Sequence, residues 1–216
     1  MKKILALILA AMMLLSLVAC GNTTETETET EIQTETETET ETEAVVELPY
    51  KSATELLNLV FTTYNAGATE ETMLYVGGGN INNFETINME GPAKFVPLAN
   101  EDYDQNLGYP VAEVSKIVEA ASMFNMMNAN MFNCYTVQFA EGTDVNAVAE
   151  AIKTNVLARR WMCGAPEKLA IVKFPGDYLL VVWGVVQFGG IVDPFVASLS
   201  GIVEGVETLV EANIAE

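Results

Sequence analysis

The stretch CYTVQFAEGTDVNAVAEAIKTNVLARR, residues 134–160, decides the fold. Its first part alternates. Tyr135, Val137 and Phe139 fall on one side and Thr136 and Gln138 on the other, the period of a β-strand. Gly142-Thr143-Asp144 then ends the alternation and starts a helix. From there the period becomes helical: Val145, Val148, Ile152 and Val156 line one face, with Asn146, Glu150 and Lys153 opposite. Arg159 and Arg160 close the helix, where cations suit the negative end of its dipole.

Working outward, residues 115–121 read as a preceding strand. Residues 169–174 and 178–183 read as a hairpin turned at Pro175-Gly176-Asp177. The apolar run 179–192 contains Gln187 and stops at Asp193; it is too short to span a membrane and predicts a buried strand plus loop. Asp193 as N-cap and Pro194 at the first helical position open a last helix, striped by Phe195, Leu199, Ile202, Val203, Val206 and Val210. Nearer the start, Ser52-Ala53-Thr54-Glu55 is a capping box. It opens a helix with Leu56, Leu57, Val60, Phe61 and Tyr64 on one face, ended by Asn65 and Gly67. Residues 73–76 suggest a short strand. Gly77-Gly78-Gly79-Asn80 reads as a loop and lacks the Lys-Ser/Thr of a phosphate loop. After Gly108 the order is strand, strand, helix, strand, strand, helix. The expected class is α+β: a small antiparallel sheet with helices packed on one face, a two-layer sandwich close to ferredoxin-like topology.

The N-terminus reads as an address. Lys2 and Lys3 precede an apolar run, which closes in Leu17-Val18-Ala19-Cys20-Gly21, a bacterial lipobox. Residues 1–19 are the expected signal peptide. Cys20 is the expected lipid-bearing first residue, placing the chain on the outer face of a cytoplasmic membrane with the bilayer as its first partner. Residues 20–47 form a tether, nearly pure Thr/Glu alternation from 24 to 43. With no apolar face to bury and like charges two apart, it predicts a disordered, extended spacer. Residues 48–216 remain for one domain, long enough to bury a core without metal or disulfides.

Charge and composition exclude several function classes. The chain carries 30 acidic and 10 basic residues, a net charge of −20. Such a surface repels nucleic acid and anionic lipid, so no nucleic-acid partner is expected. No histidine occurs. Ser-His-Asp and Cys-His nucleophiles, His-ligated zinc and His general bases are thereby ruled out. The expectation is a non-enzymatic chain with no cofactor. Beyond Cys20, the cysteines are Cys134 and Cys163. An oxidising compartment permits a disulfide between them, although bridging geometry is strict; two small buried thiols is the plainer reading.

From about residue 98 to 183 the chain resembles an uncharacterised family of bacterial lipoproteins, domain of unknown function 4358. The resemblance rests on an acidic helix-like segment ending in Leu107-Gly108-Tyr109, an amphipathic strand, Met126-Met127-Asn128, and a strand ending in Val137-Gln138-Phe139. It continues through the helix from Asp144 to Gly176-Asp177-Tyr178-Leu179-Leu180-Val181-Val182. Phe124-Asn125 stands where a Met-Pro is common in that family, and residues 68–94 also depart from its pattern. The resemblance implies an extracytoplasmic, lipid-anchored domain typical of Gram-positive bacteria. It implies no catalytic residue.

Three constellations are candidates for binding. Asp102, Asp104, Asn106 and Glu113 fall at positions 1, 3, 5 and 12 of a calcium-loop template, but Leu107 replaces the required glycine. The rival reading is a short acidic helix ending at Gly108. Met123, Met126, Met127, Met131 and Cys134 crowd together with Asn125, Asn128, Asn130 and Asn133 between them. Soft sulfur suits Cu(I), while methionine also fills irregular cores and partner-facing surfaces. Arg159, Arg160 and Trp161 form a cation–aromatic patch able to grip a carboxylate or a sugar. The expected function is a lipid-anchored binding or interaction domain, with a cell-envelope protein or component as partner. The alternative is a lipoprotein binding a metal ion (calcium or copper) or a small ligand.

Overall fold

Helix α1 (Ala53–Gly67) starts where the capping box puts it. Ser52 Oγ accepts from the Glu55 amide at 3.2 Å, and the Glu55 carboxylate takes the Lys51 amide at 2.8 Å. A third acceptor reaches across the fold. Glu119 Oε1 takes the Ala53 amide at 2.6 Å and the Tyr178 hydroxyl at 2.9 Å, tying the helix start to the sheet. The computed structural model describes residues 48–127, 131–162, 164–187 and 190–214. The signal peptide, Cys20, the tether, Asn128, Asn130 and Cys163 lie outside the described residues.

After α1 come β1 (Val76–Gly78), β2 (Ala93–Lys94), α2 (Glu101–Leu107), a 3₁₀ turn (Val111–Lys116), β3 (Ile117–Asn125) and β4 (Asn133–Phe139). Helix α3 (Val145–Ala158), β5 (Lys168–Phe174), β6 (Tyr178–Gly184), α4 (Val192–Ser200) and β7 (Glu207–Asn213) follow. One sheet holds the seven strands in the order β1-β3-β4-β6-β5-β7, with β2 also on β3, and every pairing is antiparallel.

The α+β class and the antiparallel sheet agree with the sequence. The placement of the helices does not: they cover both faces. Tyr178, Leu180 and Val182 of β6 join α1 and α4 in one core, whereas Leu179, Val181 and Trp183 join α2 and α3 in the other. Every residue of β6 is buried. That explains its unbroken apolar run, since a strand covered on both sides has no polar face to alternate with.

Topology gives the reason for two layers of helix. Helix α3 links β4 to β5 with β6 between them, and α4 links β6 to β7 with β5 between them. Both crossovers step the same way along the sheet, but β4 and β6 run in opposite directions. Crossovers of one hand must then lie on opposite faces. The β4-α3-β5-β6 unit is the split arrangement of a ferredoxin-like sandwich. The last strand departs from it, pairing with β5 at the sheet edge while β3 occupies the place beside β4.

A second correction concerns the C-terminus. The helical stripe expected through Val210 stops at Ser200; Gly201 caps α4, Gly205 turns the chain at φ +74°, and residues 207–213 become β7. Val206, Thr208, Val210 and their neighbours fit a strand, and the open edge of β5 offers them backbone partners. At the other end of α4, Asp193 is no N-cap. Its carboxylate bonds Lys168 Nζ at 2.8 Å. Lys168 also pairs with Glu211, and Lys173 with Glu207 at 2.8 Å, clamping β7 to β5.

Candidate functional site

The ends of α2 and α3 meet at Gly108. Its φ of +65° is left-handed, and a Cβ there would stand 2.8 Å from Val156 Cγ2. Only glycine allows this approach. Beyond it, α3 gives way to extended backbone at Arg159, so residues 159–162 leave the helix beside Gln105, Asn106 and Leu107. Ser122 pins the facing wall. Its Oγ accepts from the Gly79 amide at 3.2 Å and donates to the Gly79 carbonyl at 2.8 Å.

Between these elements lies a cleft of about 580 Å³. Arg159, Arg160, Trp161 and Met162 line one side; Phe124, Met126, Met131, Phe132 and Asn133 line another; Trp183 is also among the lining residues. Among the described residues, no aspartate, glutamate or lysine lines it. The chain has only two arginines and two tryptophans, and all four are here.

The Arg159 guanidinium lies over the Trp161 ring, 5.2 Å from its centroid, and donates to the Gln105 carbonyl. Burial pulls its pKa below the usual guanidinium value, while nearby Asp104 acts in the opposite sense. Neither Arg159 nor Arg160 forms an ion pair among the described residues. Trp161 meets Trp183 edge-on at 6.0 Å, and Trp183 meets Tyr135 likewise at 6.2 Å. Asn133 sits directly across the sheet from Trp183. Three buried polar atoms in this cluster, Trp161 Nε1, Asn133 Oδ1 and the Tyr135 hydroxyl, have no hydrogen-bond partner among the described residues. Burial raises the Tyr135 pKa well above its ordinary value, so that hydroxyl is neutral.

Of the residues singled out by sequence, Asn125, Met126, Met131, Asn133, Arg159, Arg160 and Trp161 are therefore brought together, with Asn106 beside them. Met127 is exposed and lines a neighbouring apolar groove of about 630 Å³ with Met126, Met89 and Tyr75. Trp183 and Gln105 were not singled out as site residues by sequence. The signal for Trp183 was present, because arginine and tryptophan are each so rare in this chain.

The calcium-loop residues do not converge. They lie on α2 and the turn after it, and the helix reading accounts for them. Asp102 Oδ2 accepts from Asn80 Nδ2 at 2.9 Å and from the amides of Leu98 and Ala99 at 2.7 and 3.3 Å; Oδ1 accepts from Asn82 Nδ2 at 2.9 Å. Asn82 chiefly, then the Leu98 amide, Asn80 and the Ala99 amide, hold its carboxyl below the ordinary carboxylate value, against the opposing effect of burial. Asp104 faces Asn155, Asn106 donates to the Asp102 carbonyl, and Glu113 pairs with Lys116. The sulfur cluster is divided too. Met123 and Cys134 pair across β3 and β4 inside the core, while Met126 and Met127 lie outside it. Among the described residues, no three acidic, cysteine or histidine side chains are grouped to hold a metal.

No protein-family profile, curated protein or solved structure matches this chain.

Proposed function

We propose that this protein is a lipid-anchored, extracytoplasmic binding domain without catalytic activity. Cys20 would hold it to the outer face of the membrane, and the cleft between α2, α3 and β3 would take a small cell-envelope ligand. The single observation that carries the reading is the composition of the cleft. Both arginines and both tryptophans of a strongly acidic chain line one concavity that no acid among the described residues lines. Concave sites with a few convergent polar groups on apolar walls are the usual form of ligand pockets. The lipobox, the Thr/Glu spacer and the resemblance over residues 98–183 support the anchored location. The absence of histidine, and of a carboxylate pair in the cleft, supports binding rather than turnover.

Two measurements on the detergent-solubilised full chain test this. Cys20→Ser should move the protein out of the membrane fraction. The low-molecular-weight fraction of a cell-envelope digest should change tryptophan emission saturably, because both reporters are in the cleft. Emission indifferent to that fraction at any concentration would overturn the cleft as the binding site.

A further inference from the structure

We infer that the cleft recognises a free carboxylate carried on an apolar body, as at the C-terminus of a short peptide; this deepens the proposed binding role and rests on it. The donors are in place. Arg160 is exposed on the cleft wall, and among the described residues it pairs with no acid and Arg159 has only a backbone carbonyl and the Trp161 ring as direct partners. Asp104 stands near Arg159 and offsets part of its charge, but it does not line the cleft. Guanidinium groups present paired N–H donors that match a carboxylate, and such charge-assisted bonds are about twice as strong as neutral ones.

The remaining groups narrow the ligand further. Among the described residues, Trp161 Nε1 is a buried donor lacking an acceptor, and Asn133 Oδ1 a buried acceptor lacking a donor. A ligand offering carboxylate oxygen to the first and an amide N–H to the second would satisfy both, as a peptide terminus does. Phe124, Met126 and Met131 supply an adaptable apolar wall for a side chain. A sugar acid carries the same carboxylate but asks for an open aromatic face. Here the guanidinium of Arg159 covers one face of Trp161, and Trp183 is buried.

The test is a tryptophan-fluorescence titration of the solubilised full chain with N-acetylleucine, its amide, and glucuronate. The acetylated amino acid should bind at least about tenfold more tightly than its amide and than glucuronate, a difference of about 1.4 kcal/mol. Arg160→Gln should weaken the carboxylate about tenfold and leave the amide unchanged, with an unaltered melting temperature showing that the fold is intact. Equal binding of acid and amide overturns the carboxylate assignment alone, provided the envelope fraction still changes the emission. Tighter binding of glucuronate overturns the apolar body. A chain silent to all three probes and to the envelope fraction loses both this inference and the binding role.

Discussion

Arg159 and Trp161, two residues apart just beyond the end of α3, stack cation on ring at 5.2 Å. The stack turns a helix-closing arginine into part of a cleft wall. It joins the two residues on either side of Arg160.

Arg159→Lys should remove the planar stack and cost about 0.5–1 kcal/mol of stability, because an ammonium reproduces neither the fork nor the flat contact. Tryptophan emission should move to longer wavelength as Trp161 gains water. Urea unfolding monitored by fluorescence reads both effects. An unchanged emission maximum would show that the stack does not order Trp161.

Asp102 should be the most sensitive acid of the α2 region. Asp102→Asn replaces an acceptor of four N–H groups with a side chain that brings donors of its own, and should cost about 2 kcal/mol. The pH dependence follows from the depressed pKa. A carboxyl held below its ordinary value of 3.8 contributes stability that is fully present above that value. It is lost as pH falls through the lower, folded value. Denaturation midpoints at about pH 7 and pH 3 should converge for wild type and variant on the acid side.

The buried tyrosines set the alkaline limit. Burial pushes Tyr50 up to about 12 from its ordinary 10.0, and raises Tyr109, Tyr135 and Tyr178 as well; Glu119 adds to the effect on Tyr178. An acid whose folded pKa is raised favours the fold below the unfolded value and loses that contribution as pH rises through the folded one. Stability should therefore decline above about pH 10. A titration of tyrosinate absorbance should show these four ionising only as the chain unfolds. Their ionisation in the native state would contradict it.

Gly78→Ala should disturb the edge at β1. A Cβ there would lie 2.6 Å from the Pro92 carbonyl carbon and the Ser122 carbonyl oxygen and would also strike the Ala93 amide nitrogen, backbone on every side. Overpacking of this kind costs about 3 kcal/mol when the neighbours cannot yield. Ser122 and Gly79 line the cleft, so ligand binding should weaken with it. Faster amide exchange at Gly78 and Asn88, which bond across this edge, is the local readout.

Much of the scaffold was legible because its signals are local. The Asp144 cap accepts from the Ala147 amide at 3.0 Å, and Gly108 ends the short acidic helix, both at the positions the sequence marks. The hairpin at Pro175-Gly176-Asp177 joins β5 and β6 in the same way. What escaped depends on pairing. Residues 202–210 carry apolar side chains at spacings that suit a helix, and only the vacant edge of β5 makes a strand of those from 207 on. The faces chosen by α3 and α4 follow from strand direction and crossover hand, neither of which is written in any one segment. At the site, Arg159 to Trp161 stood out by composition. Asn133 was legible only as one of the asparagines among the methionines, because its place opposite Trp183 depends on strand register.

The sheet ends in β7, an edge strand with Glu207 and Glu211 along it and lysines from β5 holding their carboxylates. A bare edge invites a second chain to add its own strand, and charged side chains deter that. Between copies brought side by side, the row of glutamates acts as a mutual repellent. It favours separate molecules over fibres even where their local concentration is high.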